Sequence, residues 1–179
     1  IINGYRVLCS IEDFIETNKD MKIDAVIISI GDNVIRKRII NQLSELNLKY
    51  RNAIHPNAII SDSAKIGEGV LINAGAIIQA DAVINNHCNI GTGAVIDHEC
   101  FIEDYVNIAP NATLCGKVYV SELCVVGPNS VILEKCIIEA KSIIGAGAVV
   151  VKDVQEEGIF IGVPAKFLKK RDGKKSYLK

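Results

Sequence analysis

The sequence predicts a mainly β fold: a column of short parallel strands, wound three to a turn, with a small α/β unit ahead of it. Three observations support this. An aliphatic residue recurs every six positions from Ile54 to Val150, 17 times without an insertion. A small or modest side chain stands four residues after each, as in Ala58, Ala64, Val70, Cys88, Ala94 and Ser130. The chain before this run instead shows an apolar strand-length stretch followed by apolar residues at helical spacing.

Residues 1–53 read as a partial α/β unit. A helix is expected over 11–17 and a strand over 24–30, the run DAVIISI. Gly31-Asp32-Asn33 then supplies a turn and a helix cap. Val34, Ile35, Ile39, Ile40, Leu43 and Leu46 recur at helical spacing behind it. A doubly wound unit normally opens with a strand and a glycine-rich turn. Here the chain starts at Ile1, without Met, near where a third element should stand. The expectation is a fragment whose α/β unit is incomplete at its N-terminus.

Residues 54–155 are the repeat. A period of six is neither the 3.6 of a helix nor the bare alternation of a strand, but it fits short strands broken by a turn in every hexad. Three such hexads close a triangular coil, so that residue i stacks on i+18. The aliphatic position fills the interior and the small position lets the chain round a corner. Each buried Ile or Val contributes roughly 1.5–3 kcal/mol. One coil cannot bury its own face, so the coils must stack.

Residues 156–179 comprise a loop, a short strand near Ile159 and a basic tail. Lys166, Lys169, Lys170, Arg171, Lys174, Lys175 and Lys179 stand there against only Asp172. Such a tail is expected to be solvated and frayed.

Composition excludes several classes. A net charge of −1 offers no general field for nucleic acid. No apolar run approaches the roughly 20 residues of a membrane span, and the N-terminus lacks the features of a secretory signal. Cys88, Cys100, Cys124 and Cys136 are separated by whole numbers of hexads: two, four and two. They share the small position of the repeat and read as buried hydrophobes rather than a disulfide or zinc framework. A reducing, cytoplasmic setting is expected.

The chain has three histidines, His55, His87 and His98. His98 lies at a corner between carboxylates in Asp97-His98-Glu99, where an acid at Nδ1 would fix the tautomer and raise basicity. His55 precedes Pro56 at the start of the column, and His87 follows Asn85-Asn86; both are expected to be structural or solvated. The three occupy the second, fourth and third places of their hexads, so they face differently. That argues against a hydrating metalloenzyme of the γ-class carbonic anhydrase type, which converges three histidines on one metal.

The hexad rule resembles that of the hexapeptide-repeat acyltransferases. More narrowly, GTGAVIDHECFIEDYVNIAPNATLCGK at 91–117, IGDNVIRKRI at 30–39, AIHPNAIIS at 53–61, GAGAVVVKDV at 145–154 and GVPAK at 162–166 are similar to one subgroup. These are the sugar O- and N-acyltransferases of the sialic acid O-acetyltransferase and bacillosamine N-acetyltransferase type. The resemblance implies a left-handed parallel β-helix, a homotrimer with sites between neighbouring prisms, acetyl-CoA as acyl donor and no metal. It implies a nucleotide-linked amino sugar as acceptor, and makes residues 1–53 the nucleotide-sugar-binding unit. His98 corresponds to the general base, Glu99 to its orienting acid and Gly116 to the amide that binds the thioester carbonyl. Gly116 follows His98 by three hexads, so the repeat independently stacks the two on one edge. Asn107, Pro128, Ala146, Lys152 and Lys166 are expected along acetyl-CoA, the two lysines near its phosphates. Ser29, Ile30, Gly31 and Gly91 are expected near the acceptor.

Three departures accompany the resemblance. Asn107 stands where the family often has a second histidine, Gly91 where an Asn is common, and the opening strand with its GxGGHG-type loop is not in the sequence. A sialic acid O-acetyltransferase and a non-catalytic β-helix scaffold are the alternatives.

Overall fold

The computed structural model describes residues 3–21, 23–172 and 176–177. From Ala53 to Val150 the backbone is a parallel β-helix in which, among the described residues, 17 two-residue strands alternate with four-residue corners. The strands sort into three sheets, the faces of a triangular prism. Face 1 begins at Ala53–Ile54, face 2 at Ile59–Ile60 and face 3 at Lys65–Ile66. Each strand pairs with the one three hexads later, as Val95 does with Thr113 and Asn107 with Val125. This is the coil length that the six-residue period requires.

The corners explain how the repeat closes. At many corners the carbonyl of the residue after the aliphatic position accepts from the amide three residues on, as in Ala94 to Gly91 (3.1 Å) and Ala112 to Ala109 (3.2 Å). From Gly69 to Gly147 the residue before the small position takes a left-handed conformation, with φ near +56° at His87, +55° at Glu99 and +61° at Lys117. Few of these positions are glycine, so the stacked ladder holds ordinary residues where they rarely go, against an intrinsic cost of roughly 1–2 kcal/mol each. Aliphatic and small positions together form one continuous core from Val70 to Val154. Cys88, Cys100 and Cys124 lie in it, their S–H groups donating to the carbonyls of Glu103, Cys115 and Glu139. Burial pushes the Cys88 and Cys124 thiols up to about 12.

The ends depart from the pattern. Ile54 is 46% exposed, and Ile60 and Ile66 are only partly buried, so the first aliphatic positions do not fill a closed interior as expected. A coil is covered from both sides only when another stacks beneath it, and no described residue does so there. After Val150 the coil shortens: Ile138 bridges Val154 and Ile144 pairs with Phe160, a spacing of i+16 in place of i+18. The strand Ile159–Ile161 then turns back through Lys166–Lys169.

Ahead of the prism lie α1 (Ile11–Met21), β1 (Ala25–Val26), α2 (Asn33–Gln42), a 3₁₀ turn (Ser44–Leu46) and β2 (Lys49–Tyr50). β1 and β2 form a parallel pair. The strand is therefore much shorter than the apolar run over 24–30. Asp32 caps α2 by accepting from the Ile35 amide at 2.9 Å. The helix buries Ile39 and Ile40 together with Asn33 and Arg36. Arg36 is 1% exposed and donates to the carbonyls of His87 (2.9 Å) and Ile30 (2.6 Å) and to Asn107 Oδ1 (2.7 Å). Its burial lowers its pKa, and these acceptors answer the charge. Asn33 donates to the Leu123 carbonyl, and Lys37 pairs with Glu122. The unit is thus docked on the prism through polar groups of α2.

His87 is buried, not solvated. Its ring stacks on Tyr105 (5.4 Å) and meets Tyr50 edge-on (4.7 Å), and burial lowers its pKa. Exposed His55 accepts from the Asn57 amide at Nδ1.

The basic tail divides. Lys166, Lys169 and Lys170 are exposed, but Arg171 is not frayed: it is 9% exposed and donates to the Leu123 (2.8 Å) and Lys141 (2.7 Å) carbonyls. Carbonyls at a prism edge draw the guanidinium inward. Lys174, Lys175 and Lys179 lie outside the described residues. Ser176 Oγ and the Tyr177 amide both donate to Asp32 Oδ2, tying the tail to the start of α2.

A core test follows. Ile102 is fully buried between Ile84 and Val120, and Ile102→Ala should cost about 2–5 kcal/mol, read as a lowered denaturant midpoint.

Candidate active site

His98 sits on the edge between faces 2 and 3, the third residue of its hexad. The Glu99 carboxylate lies 3.2 Å from Nδ1. A carboxylate accepts, so the imidazole proton belongs on Nδ1 and the lone pair on Nε2. Asp97 Oδ1 takes the His98 amide at 2.7 Å, fixing the corner from the other side. Lys117 Nζ is 3.6 Å from the same Glu99 oxygen. The side chains of His98 and Glu99 are about half exposed (47% and 52%), so the pair meets solvent on one side.

Gly116 is the corresponding corner residue one coil on. A Cβ there would stand 2.5 Å from His98 Nε2 and 2.6 Å from Cε1. The imidazole therefore rests against the bare Cα with its basic nitrogen innermost, and only glycine leaves that room. The amide at this corner position has no place in the strand ladder. Elsewhere a side chain takes it: Asn86 the Glu68 amide, Asp104 the Asn86 amide, Glu103 the Glu122 amide. Among the described residues nothing accepts from the Gly116 N–H. A basic nitrogen and an uncommitted N–H thus sit side by side on one edge, the two groups acyl transfer requires.

Gly116→Ala tests that packing. The methyl group would displace the imidazole, a movable side chain, while the backbone stays. Turnover should fall at least tenfold, by the logic of misplaced catalytic groups, with the unfolding midpoint little changed.

The remaining candidates fall into three groups. Asn107, Gly31, Gly91 and Pro128 line one pocket of about 400 Å³ over face 1 and the edge between faces 1 and 2. Ala146 lies on that edge next to the glycine whose amide donates to the Pro128 carbonyl. Lys152 lies in the shortened corner that follows Val149–Val150, at the far end of the edge between faces 2 and 3 that carries His98 and Gly116. It shares a pocket of about 520 Å³ with Lys166, Asp153 and Glu156. Ser29 and Ile30 line a separate, mostly apolar cavity of about 380 Å³ with Phe14, Ile28 and Ile39. Gly116 thus lies on the edge between faces 2 and 3, and Pro128 and Ala146 on the edge between faces 1 and 2, with face 2 between them; Asn107 is on face 1 and Lys166 on the last strand of its sheet. His55, His87 and His98 occupy three different corners, as their hexad places require.

Sequence reasoning missed Arg36, Lys117 and Tyr177. Lys117 could have been found, since it follows Gly116 in register with Glu99. Arg36 hides in a polar-looking helix stretch, and nothing in the tail marks Tyr177. Asn107, expected at the donor, makes its side-chain hydrogen bonds within the protein. Its Oδ1 accepts from Arg36, and its Nδ2 donates to the Gly31 carbonyl and the Tyr177 hydroxyl, each at 2.6 Å.

Known proteins share this architecture. Residues 63–98 match the bacterial transferase hexapeptide (six repeats) family. The chain is similar to PerB from Caulobacter crescentus, solved with CoA and GDP-perosamine, at 34% identity over 88% of this chain and 76% of that one (TM-score 0.85). It is similar to a histidine-to-alanine mutant of the GDP-perosamine N-acetyltransferase of that organism, also with CoA and GDP-perosamine, at 33% identity over 89% and 76% (TM-score 0.85). The acetyltransferase domain of PglB from Neisseria gonorrhoeae FA1090, in complex with acetyl coenzyme A, matches at 30% identity over 94% and 81% (TM-score 0.88). With this identity over most of each relative, the chain belongs to the hexapeptide-repeat acetyltransferase family that includes these proteins.

Proposed function

We propose that the protein transfers the acetyl group of acetyl-CoA to the amine of a nucleotide-linked amino sugar. The observation that carries this is the packing of His98 Nε2 against Gly116, whose N–H has no acceptor among the described residues. His98 takes a proton from the attacking amine as its nitrogen bonds to the thioester carbon. The Gly116 N–H stabilises the oxyanion. As the C–S bond breaks, the proton passes to the departing thiolate, leaving an amide and free CoA. Glu99 holds the ring and stabilises its charged form. The relatives solved with CoA, acetyl-CoA and GDP-perosamine support both the donor and the amine acceptor.

Assembly completes the site. Face 2 presents Ile59, Ile77, Val95, Thr113, Val131 and Val149 outward, an almost wholly apolar strip, with Ile59 64% exposed. Three copies packed through face 2 bring the His98 edge of one prism beside the Pro128 and Ala146 edge of the next. Acetyl-CoA then lies in the groove between them, with Lys152 and Lys166 toward its phosphates. The unit at residues 3–50 supplies the acceptor side through Gly31. Among the described residues no helix is long and apolar enough to cross a membrane. With buried thiols in the core, the cytoplasm is the setting that fits.

A thiol-release assay with acetyl-CoA tests the function, comparing GDP- and UDP-linked 4-amino sugars with free sialic acid. Release with an amino-sugar nucleotide is expected. Release with sialic acid alone would transfer the assignment to O-acetylation, and release with none would end it.

A further inference from the structure

The pocket over face 1 has one wall that comes from the far end of the chain. Tyr177 lines it together with Gly31, Asn89, Gly91, Asn107 and Pro128. The phenol is placed by its own backbone, whose amide donates to Asp32 at 3.0 Å, and by Arg171, whose guanidinium lies 5.8 Å from the ring centre. Its hydroxyl accepts from Asn107 Nδ2 at 2.6 Å and stands 3.4 Å from the Gly31 carbonyl.

Hydrogen-bond accounting shows what this does to the pocket. An Asn side chain offers two N–H donors and one oxygen. Gly31 and Tyr177 take both donors of Asn107 and Arg36 donates to its oxygen, so Asn107 has no N–H left to offer a ligand. The Tyr177 hydroxyl accepts from Asn107 and keeps its own proton, for which the Gly31 carbonyl at 3.4 Å is a long and weak partner. Burial raises the Tyr177 pKa, which keeps the phenol protonated and able to donate at neutral pH. At about 400 Å³, the cavity falls within the roughly 300–1,000 Å³ of small-molecule sites, and it combines apolar Pro110, Pro128 and Val125 with amide groups. That lining suits a sugar ring.

We infer that Tyr177 is a specificity-determining residue, its hydroxyl donating to an oxygen of the acceptor sugar in the pocket bounded by Gly31, Gly91 and Asn107. This rests on the amino-sugar reading for the class of ligand. Tyr177 is then part of the acceptor site, and Asn107 acts through it as a positioning residue.

The test is calorimetric binding of GDP-perosamine and of a UDP-linked 4-amino sugar to the unaltered chain and to Tyr177→Phe, with Ser176→Ala as a tail variant that leaves the pocket lining intact. Thiol release is measured in parallel. Loss of one hydrogen bond should weaken acceptor binding about three- to tenfold in Tyr177→Phe, with acetyl-CoA affinity unchanged and Ser176→Ala like the unaltered protein. Unchanged acceptor affinity in Tyr177→Phe would overturn the proposal, as would tighter binding, which would make the tail a plug. Equal weakening in Ser176→Ala would overturn it too, reducing Tyr177 to a clasp. Failure of the unaltered protein to bind either nucleotide sugar also ends it. Binding without thiol release would instead sink the acetyltransferase assignment, while the Tyr177 comparison would still be decided by affinity.

Discussion

His98→Ala should lower turnover by about two to four orders of magnitude, the usual worth of a positioned general base. The change ought to be confined to chemistry. His98 is exposed, and its ring contacts Glu99 and Gly116 at a corner, outside the continuous core. The prism, its self-association and its affinity for CoA should therefore survive, with the unfolding midpoint almost unmoved. Glu99→Gln should cost less, because an amide oxygen can still accept from Nδ1 but brings no charge to stabilise the imidazolium. A His98→Ala protein that releases thiol at the original rate would remove the proposed base.

Arg36→Met should produce the second large effect, on architecture. The substitution keeps length and removes the donors that serve the carbonyls of His87 and Ile30 and the Asn107 oxygen. Each buried acceptor left without a partner costs roughly 1–3 kcal/mol. The β-helix has its own continuous core, so the loss should fall on the docking of α2. Hydrogen exchange should accelerate in residues 33–50 while the amides of the prism keep their protection. Acceptor affinity should fall too, since Asn107 and Gly31 lose their brace. Unchanged exchange over 33–50 would show that Arg36 does not hold the unit in place.

Much of the fold was legible because stacking repeats one physical requirement seventeen times. Every aliphatic from Ile72 to Val150 faces the same interior, so each position reports the same environment. The pairing of His98 with Gly116 came from that arithmetic as well, because a coil of three hexads places like positions together. Single events were illegible. Left-handed corners at Tyr105, Leu123 and Lys135 run against residue preference and are imposed by neighbouring coils. Arg36 and Arg171 lie in segments that look solvated, yet each enters the interior to satisfy carbonyls far away in sequence. Their burial depends on which surfaces meet, and no local pattern encodes that. The same holds for Asn107, whose hydrogen bonds with Arg36, Gly31 and Tyr177 join segments far apart in sequence.

A crystal structure of the protein with CoA and an amino-sugar nucleotide would test the proposed chemistry most directly. The CoA sulfur is expected on the His98 edge beside the Gly116 amide, with the sugar amine within hydrogen-bond reach of His98 Nε2. Sulfur and amine bound together elsewhere, away from both His98 and Gly116, would contradict it.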